Sequence, residues 1–285
     1  MKQITTILLT GVAAFFLSAC GGGSSDSEIP SELVTITEQN ADAVVASAIG
    51  SISGAMDIED IPLLSTSSSV AKSTSIITQY AKTISTDLQI SAIVTGTEAC
   101  SGGGTVTYNV DDITEEGTIT FNECVESDVT IDGTMELTID GTNYIAEFIG
   151  LKIQMLDDII FYEYAIVNLN EYNSDLSITI TGYSTDGVNR MDLKDYTATI
   201  TGDNLTINGL VKTSCISAWI EVKTTQALVM PGYCPIAGEV SILGNGSDIK
   251  MVFNSDESVD VSLNGQAYDS YNTCNELPSL DEVCP

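Results

Sequence analysis

Residues 158–167 read DIIFYEYAIV and residues 176–180 read LSITI. β-Branched and aromatic side chains fill both faces of the first run, and the second alternates apolar with hydroxyl residues, as strands do. Asn173-Ser174 lies between them as a turn signal, in a connection too short for a helical crossover. The two runs therefore read as neighbouring antiparallel strands. The pattern continues outward from about Leu88 to Asn264, punctuated by turn signals at Asp132-Gly133, Asp140-Gly141, Asp157-Asp158, Asp186-Gly187, Asp203-Asn204, Asn245-Gly246 and Asn264-Gly265. Such spacing predicts a mainly β protein built on a large antiparallel meander. An open barrel or curved sheet is the first expectation, and a two-sheet sandwich the second. T-I-D-G-T at Thr130–Thr134 and Thr138–Thr142, with T-I-N-G at Thr206–Gly209, suggests repeated hairpin units turning at each glycine.

Ahead of the strands, residues 37–54 (TEQNADAVVASAIGSISG) predict a helix. Thr37 can cap it, Glu38 and Asp42 suit its positive end, and Val44, Val45, Ala48, Ile49 and Ile52 form one apolar stripe. A second helix is expected over Ser68–Ser85, with Val70, Ile77, Tyr80, Ala81 and Ile84 on one side. Neither is stable alone, so both are expected to pack on the sheet. The implied organisation is a helical segment over 37–87 and an antiparallel β domain over 88–285.

The chain of 285 residues carries 40 Asp and Glu against 9 Lys and Arg, a net charge of −31. That balance argues against nucleic acid and anionic headgroups as partners, since both select basic patches. There is no histidine, which excludes Ser-His-Asp and Cys-His nucleophiles and every imidazole metal site. No phosphate loop or dinucleotide fingerprint occurs, and no cofactor is implied. Ser69-Val70-Ala71-Lys72 fits S-x-x-K and resembles the acyl-serine penicillin-binding enzymes, although Lys212-Thr213-Ser214 departs from their K-T-G. Abundant serine accounts for such a match by chance, so Ser69 and Lys72 are read as a solvated helix face. Oxygen-rich turns at Asp111-Asp112 with Glu115-Glu116, and at Asn254, Asp256, Glu257 and Asp260, have the chemistry for calcium but not its EF-hand spacing. They read as turn chemistry, with no metal expected. Trp219 is expected to pack against a disulfide rather than to stack a sugar.

Beyond Cys20, six cysteines remain: Cys100, Cys124, Cys215, Cys234, Cys274 and Cys284. An even number in an exported chain points to three disulfides. A hairpin reversing at Asp111-Asp112 would set Cys100 opposite Cys124. Cys274 and Cys284 enclose a short tail loop and are expected to staple it. Cys215 and Cys234 are then left for each other, but an extended strand between them would hold them tens of ångströms apart. That bridge is expected only if the chain turns at Lys223-Thr224-Thr225-Gln226.

The amino terminus bears on location. Met1-Lys2-Gln3 is a short positive tip, and Ile4–Leu17 is an apolar run of secretory-signal length. Leu17-Ser18-Ala19-Cys20 then resembles the lipobox of bacterial lipoproteins. The resemblance implies removal of residues 1–19, acylation of Cys20 and durable anchoring, because two or more acyl chains hold a bilayer where one does not. Gly21-Gly22-Gly23-Ser24-Ser25 opens a flexible tether over residues 20–36. Gly21 in place of an aspartate after the cysteine implies the outer membrane, facing either the periplasm or the exterior. Cys100-Ser-Gly-Gly-Gly-Thr-Val-Thr, Ile119-Thr-Phe-Asn-Glu-Cys124 and Cys234-Pro-Ile-Ala-Gly-Glu-Val-Ser also resemble segments of uncharacterised exported proteins of Gram-negative bacteria, and bring no activity with them. The expected function is a membrane-anchored, non-catalytic envelope lipoprotein that binds a protein or glycan partner or supports envelope structure. A carrier enclosing an apolar ligand in a curved half-barrel is the alternative, and a Ser-Lys hydrolase the third.

Overall fold

The computed structural model describes residues 32–56, 94–111, 114, 116–126, 128–140, 143–155, 158–170, 175–231 and 234–284. Cys20, the tether, the second expected helix and Ser69 with Lys72 lie outside these residues. The first helix, α1, spans Ala41–Met56. Strands β1 Val94–Ala99, β2 Thr105–Asp111, β3 Glu116–Glu126, β4 Val129–Asp140, β5 Asn143–Met155, β6 Asp158–Asn170 and β7 Asp175–Thr185 follow. The chain continues through β8 Arg190–Thr201, β9 Asn204–Thr213, β10 Ile220–Val229, β11 Ala237–Gly244, β12 Ser247–Phe253, β13 Val259–Leu263 and β14 Gln266–Tyr271. A short 3-10 turn at Cys274–Glu276 and a last helix, α2, at Leu280–Val283 complete it.

All 14 strands form one sheet in strict sequence order, each antiparallel to the next, and the sheet does not close into a barrel. The meander is therefore as expected, in its open, curved form, and the two-sheet sandwich is not adopted. Most of the turn signals sit where strands reverse, as at Asn264, whose side chain accepts the Asp248 N–H at 3.0 Å.

Asp132-Gly133 is the exception. It lies inside β4, where the register with β5 slips between Asp132 and Thr134. Comparable slips occur at Phe121/Cys124, Tyr162/Tyr164, Ile180/Gly182, Lys194/Thr197 and Lys223/Leu228. They fall on one line, for Leu151, Tyr162, Gly182 and Leu193 are successive cross-strand partners along it. Extra residues there take left-handed backbone, Glu123 at φ 46° and Asp195 at φ 48°. Close approach of backbones explains the glycines. A Cβ at Gly133 would stand 2.6 Å from Leu151 Cα, at Gly182 2.1 Å from the Phe161 carbonyl oxygen, and at Gly209 2.4 Å from Tyr196 Cα. Gly133 of T-I-D-G and Gly209 of T-I-N-G thus lie within strands, opposite the extra residues of bulges on β3, β5 and β8, and not in the hairpin turns expected there. Bulges bend strands and increase their twist, so a line of them curls the sheet.

What the curl holds is α1. Consecutive helix residues are about 100° apart, so the five residues from Val44 to Ala48 point in every direction, yet none is more than 1% exposed. The helix's two buried serines are satisfied: Ser47 Oγ lies 2.7 Å from Thr213 Oγ1 and donates to the Ala43 carbonyl, and Ser51 Oγ donates to the Ala48 carbonyl. Tyr196 on β8 donates its hydroxyl to the Ser51 carbonyl at 2.8 Å, and Tyr268 on β14 donates to Asp42 Oδ1 at 3.0 Å. In a flat sheet those two strands would be six spacings, about 29 Å, apart. Nine helix residues cover only about 14 Å, so the sheet must wrap for both tyrosines to reach one helix. The expected apolar stripe is buried at Val44, Val45, Ala48 and Ile52, and over Val44–Ala48 the burial extends all round the helix, which its small Ala46 and Ser47 permit. The helix begins at Ala41 rather than Thr37, because Asn40 Oδ1 takes the Thr37 N–H at 2.8 Å and turns the chain first.

The carboxyl-terminal tail crosses the same region. Leu280 packs beside Gly50 of α1, and Asn189, in the β7–β8 turn, donates to Asp281 at 3.2 Å. Disulfides fix the crossing. Cys100–Cys124 forms as expected, with Cα atoms 5.5 Å apart. The other two pairings are corrected: Cys215 bonds Cys284 and Cys234 bonds Cys274, at Cα separations of 5.1 and 5.7 Å. No turn forms at Lys223–Gln226, since β10 runs through it. That strand keeps Cys215 and Cys234 at opposite ends, and the tail supplies a partner at each.

Candidate functional site

Among the described residues, α1 occupies the trough. Val34 and Ile36, α1 and strand residues from Val106 to Val261 form one continuous buried cluster. Its tyrosine hydroxyls at Tyr162 and Tyr196 are raised well above the ordinary value by burial. Chemistry available to a partner therefore lies on the sheet's outer face.

Strand alternation sets that face. Ile131, Leu151, Ile153, Ile160, Tyr162, Met191, Leu193 and Val211 are buried, so the residues between them point outward. Six of these are successive cross-strand partners: Asp132, Lys152, Phe161, Tyr183, Asp192 and Lys212. None of the six is buried. At the centre, the Phe161 and Tyr183 rings have centroids 5.5 Å apart and are tilted by 41°. The Arg190 guanidinium carbon stands 3.8 Å from the Tyr183 centroid, and its Nε donates to Asp192 at 2.9 Å. Nearby, Tyr164 is 37% exposed and Ile149 45% exposed. Partial burial and the Glu147 carboxylate raise the Tyr164 hydroxyl above its ordinary value.

The row begins in a cleft of about 430 Å³ lined by Gly104, Glu123, Thr130, Asp132, Lys152 and Gln154, among others. Its wall is built by the Cys100–Cys124 hairpin. The intervening loop folds onto β3 through Gly102 N–H to the Val125 carbonyl and Val125 N–H to the Gly103 carbonyl, both at 2.9 Å. Asp132 Oδ1 accepts the Glu123 N–H at 3.1 Å, which pins the bulge. Cys100, Cys124 and Glu126 are close enough to resemble a metal cluster, but both sulfurs are committed to a disulfide and Glu126 accepts from Ser101 N–H at 2.8 Å.

The other residues singled out from sequence fall elsewhere. Asp256 accepts from Ser258 N–H and Oγ, and Asp260 from Asn254 Nδ2 and, across to β14, from Ser270 Oγ, so these carboxylates bind their own turn and the neighbouring strand. Hydrogen bonds from Ser258 hold the Asp256 carboxyl below its ordinary value. Trp219 is half-buried, and its main chain receives the amino-terminal segment, accepting from Val34 N–H at 2.9 Å and donating to the Glu32 carbonyl at 3.2 Å. The outer row was not legible in the sequence, where Phe161 and Tyr183 are 22 positions apart. Only strand register brings them together.

No protein-family model, curated protein or solved structure matches this chain. Its function must be argued from its own chemistry. That chemistry consists of the half-buried Phe161 and Tyr183 rings, the exposed Tyr164 and the Arg190–Asp192 ion pair on the outer face of the sheet.

Proposed function

We propose that the protein is a non-catalytic cell-envelope lipoprotein, anchored in the outer membrane by acyl chains on Cys20, that binds a partner through the outer face of its sheet. The observation carrying this reading is the occupation of the trough by α1: Val44, Ala48 and Ser51 are 0% exposed. A helix there takes the space that a carrier would keep for an apolar ligand, which favours binding on the outside. Residues 1–28 support the anchor by their order of charged tip, apolar run, Leu17-Ser18-Ala19-Cys20 and Gly-Ser tether. Three disulfides accord with an oxidising compartment.

The test is intact mass and fractionation of the chain expressed with its amino terminus in a Gram-negative host. The reading expects a mature chain beginning at an acylated Cys20, found in outer-membrane vesicles and released to the soluble fraction by Cys20→Ser. A free, unmodified amino terminus in the soluble periplasm contradicts it. Lipid co-purifying in fixed stoichiometry would favour the carrier.

A further inference from the structure

The residues ahead of α1 are built into the sheet. The β10–β11 pair is in register at Glu221↔Leu243, and continued in that register toward the start of β10 it would set Trp219 opposite Asn245. Val34 stands between them instead. Its N–H donates to the Trp219 carbonyl at 2.9 Å, and its carbonyl accepts the Asn245 N–H at 2.8 Å. Trp219 N–H donates to the Glu32 carbonyl at 3.2 Å, and Ile36 N–H to Ser247 Oγ at 2.7 Å. Residues 32–36 therefore form a short extended strap inserted into the fork of β10 and β11, parallel to the chain at Trp219. Gly244 gives it room, since a Cβ there would stand 2.3 Å from the Val34 carbonyl oxygen. Val34 and Ile36 are both buried.

The strap lies in series along the chain, with Cys20 and the tether before it and α1 after it. Tension that enters at Glu32 meets the strap's bonds before it reaches Ala41. Because Val34 is bonded from both sides, turning it away from one neighbour does not free it from the other. The support behind it is covalent: Cys215, four residues before Trp219, is bonded to Cys284. By contrast α1 has no such link, for residues 32–56 contain no cysteine. We propose that residues 32–36 are a mechanical clamp, which takes the pull of the membrane tether and keeps it from drawing α1 out of the trough. This rests on the anchored reading above, which supplies the pull whenever a bound partner and the membrane move apart.

The experiment is single-molecule force spectroscopy of the oxidised chain Cys20–Pro285, made unacylated, with one handle on the Cys20 thiol and the other on a tag after Pro285. With Cys284 tied to Cys215, this geometry loads the strap against the start of β10. The readout is the rate of the first opening event at a fixed force. Val34→Pro, which removes the N–H donor to Trp219, should speed that event about tenfold. Ser247→Ala, which leaves the buried Ile36 N–H without its acceptor, should speed it about threefold. Tyr196→Phe loosens α1 itself and should change the first event by less than about twofold, because the strap yields first. Circular dichroism and melting establish that each variant is folded, and Ser247→Ala decides the matter if Val34→Pro is not. The proposal is overturned if the folded strap variants open at the parent's rate, or if Tyr196→Phe speeds opening as much as they do. Either failure leaves the anchored lipoprotein standing, since the chain tested carries no lipid, whereas an unmodified amino terminus in the cell would leave the strap in place without a load.

Discussion

The first seven strands and the last seven are built alike from antiparallel hairpins, but they are held differently. In β1–β7 the disulfide joins residues 24 apart in sequence and closes a single hairpin. In β8–β14 the two disulfides span 69 and 40 residues, and α1 and the tail cross several strands. Local bonding makes a face; non-local bonding makes an enclosure. The half with the filled trough is tied by long-range bonds, whereas the packed Phe161 and Tyr183 rings lie in the other half, on β6 and β7.

The comparison breaks most severely if the tail is freed. Loop-closure entropy assigns Cys215–Cys284 about 4 kcal/mol, somewhat more than the shorter Cys100–Cys124 loop. A Cys215→Ser/Cys284→Ser pair should lower stability by about that amount and speed hydrogen exchange in α1 and β8–β10, whereas Cys100→Ser/Cys124→Ser should act on β1–β3. Equal effects on both halves would dissolve the distinction. Next in size is Gly209→Ala, which sets a Cβ against Tyr196 Cα. A loss of about 3 kcal/mol by denaturant titration is expected, and an unchanged midpoint would mean that the bulge line is not needed for the curl. Tyr196→Phe removes the bond to the Ser51 carbonyl and should cost about 1 kcal/mol.

The smallest effect is electrostatic. Glu239 is held below the ordinary glutamate value by hydrogen bonds from Lys250 and Thr225. A lowered folded value means that its contribution is present above the unfolded value and is lost as pH falls through the folded one. Glu239→Gln should remove that part of the acid sensitivity, at a cost below about 1 kcal/mol at neutral pH. An identical stability profile below the ordinary glutamate value in both proteins would show that the pair contributes nothing.

These same contrasts explain what could be read from the sequence. The strands of β6 and β7, the reversals at Asn245 and Asn264 and the Cys100–Cys124 bridge depend on residues near one another in the chain, where propensity and turn chemistry act. The partners of Cys215 and Cys234 are not legible in the sequence, because they arrive from a tail that crosses the trough. Asp132-Gly133 reads as a turn in the sequence because Asp-Gly serves turns and bulge sites alike, and only the neighbouring backbone distinguishes them. The α1 stripe was legible, but its burial on every side follows from the curl and not from its own periodicity. Of the outer row, Phe161 was visible as part of an apolar run, while its place beside Tyr183 and Lys152 required the register of three strands.

The sheet curls around α1, and the protein's own helix occupies the trough. Native-state hydrogen exchange read residue by residue tests this most directly. The amides from Ala46 to Ile52 should exchange as slowly as those of β8 and β9, opening only with global unfolding. Rapid exchange of those helix amides while β8 and β9 stay protected would mean that the trough is not held closed over the helix, and would restore the hollow carrier.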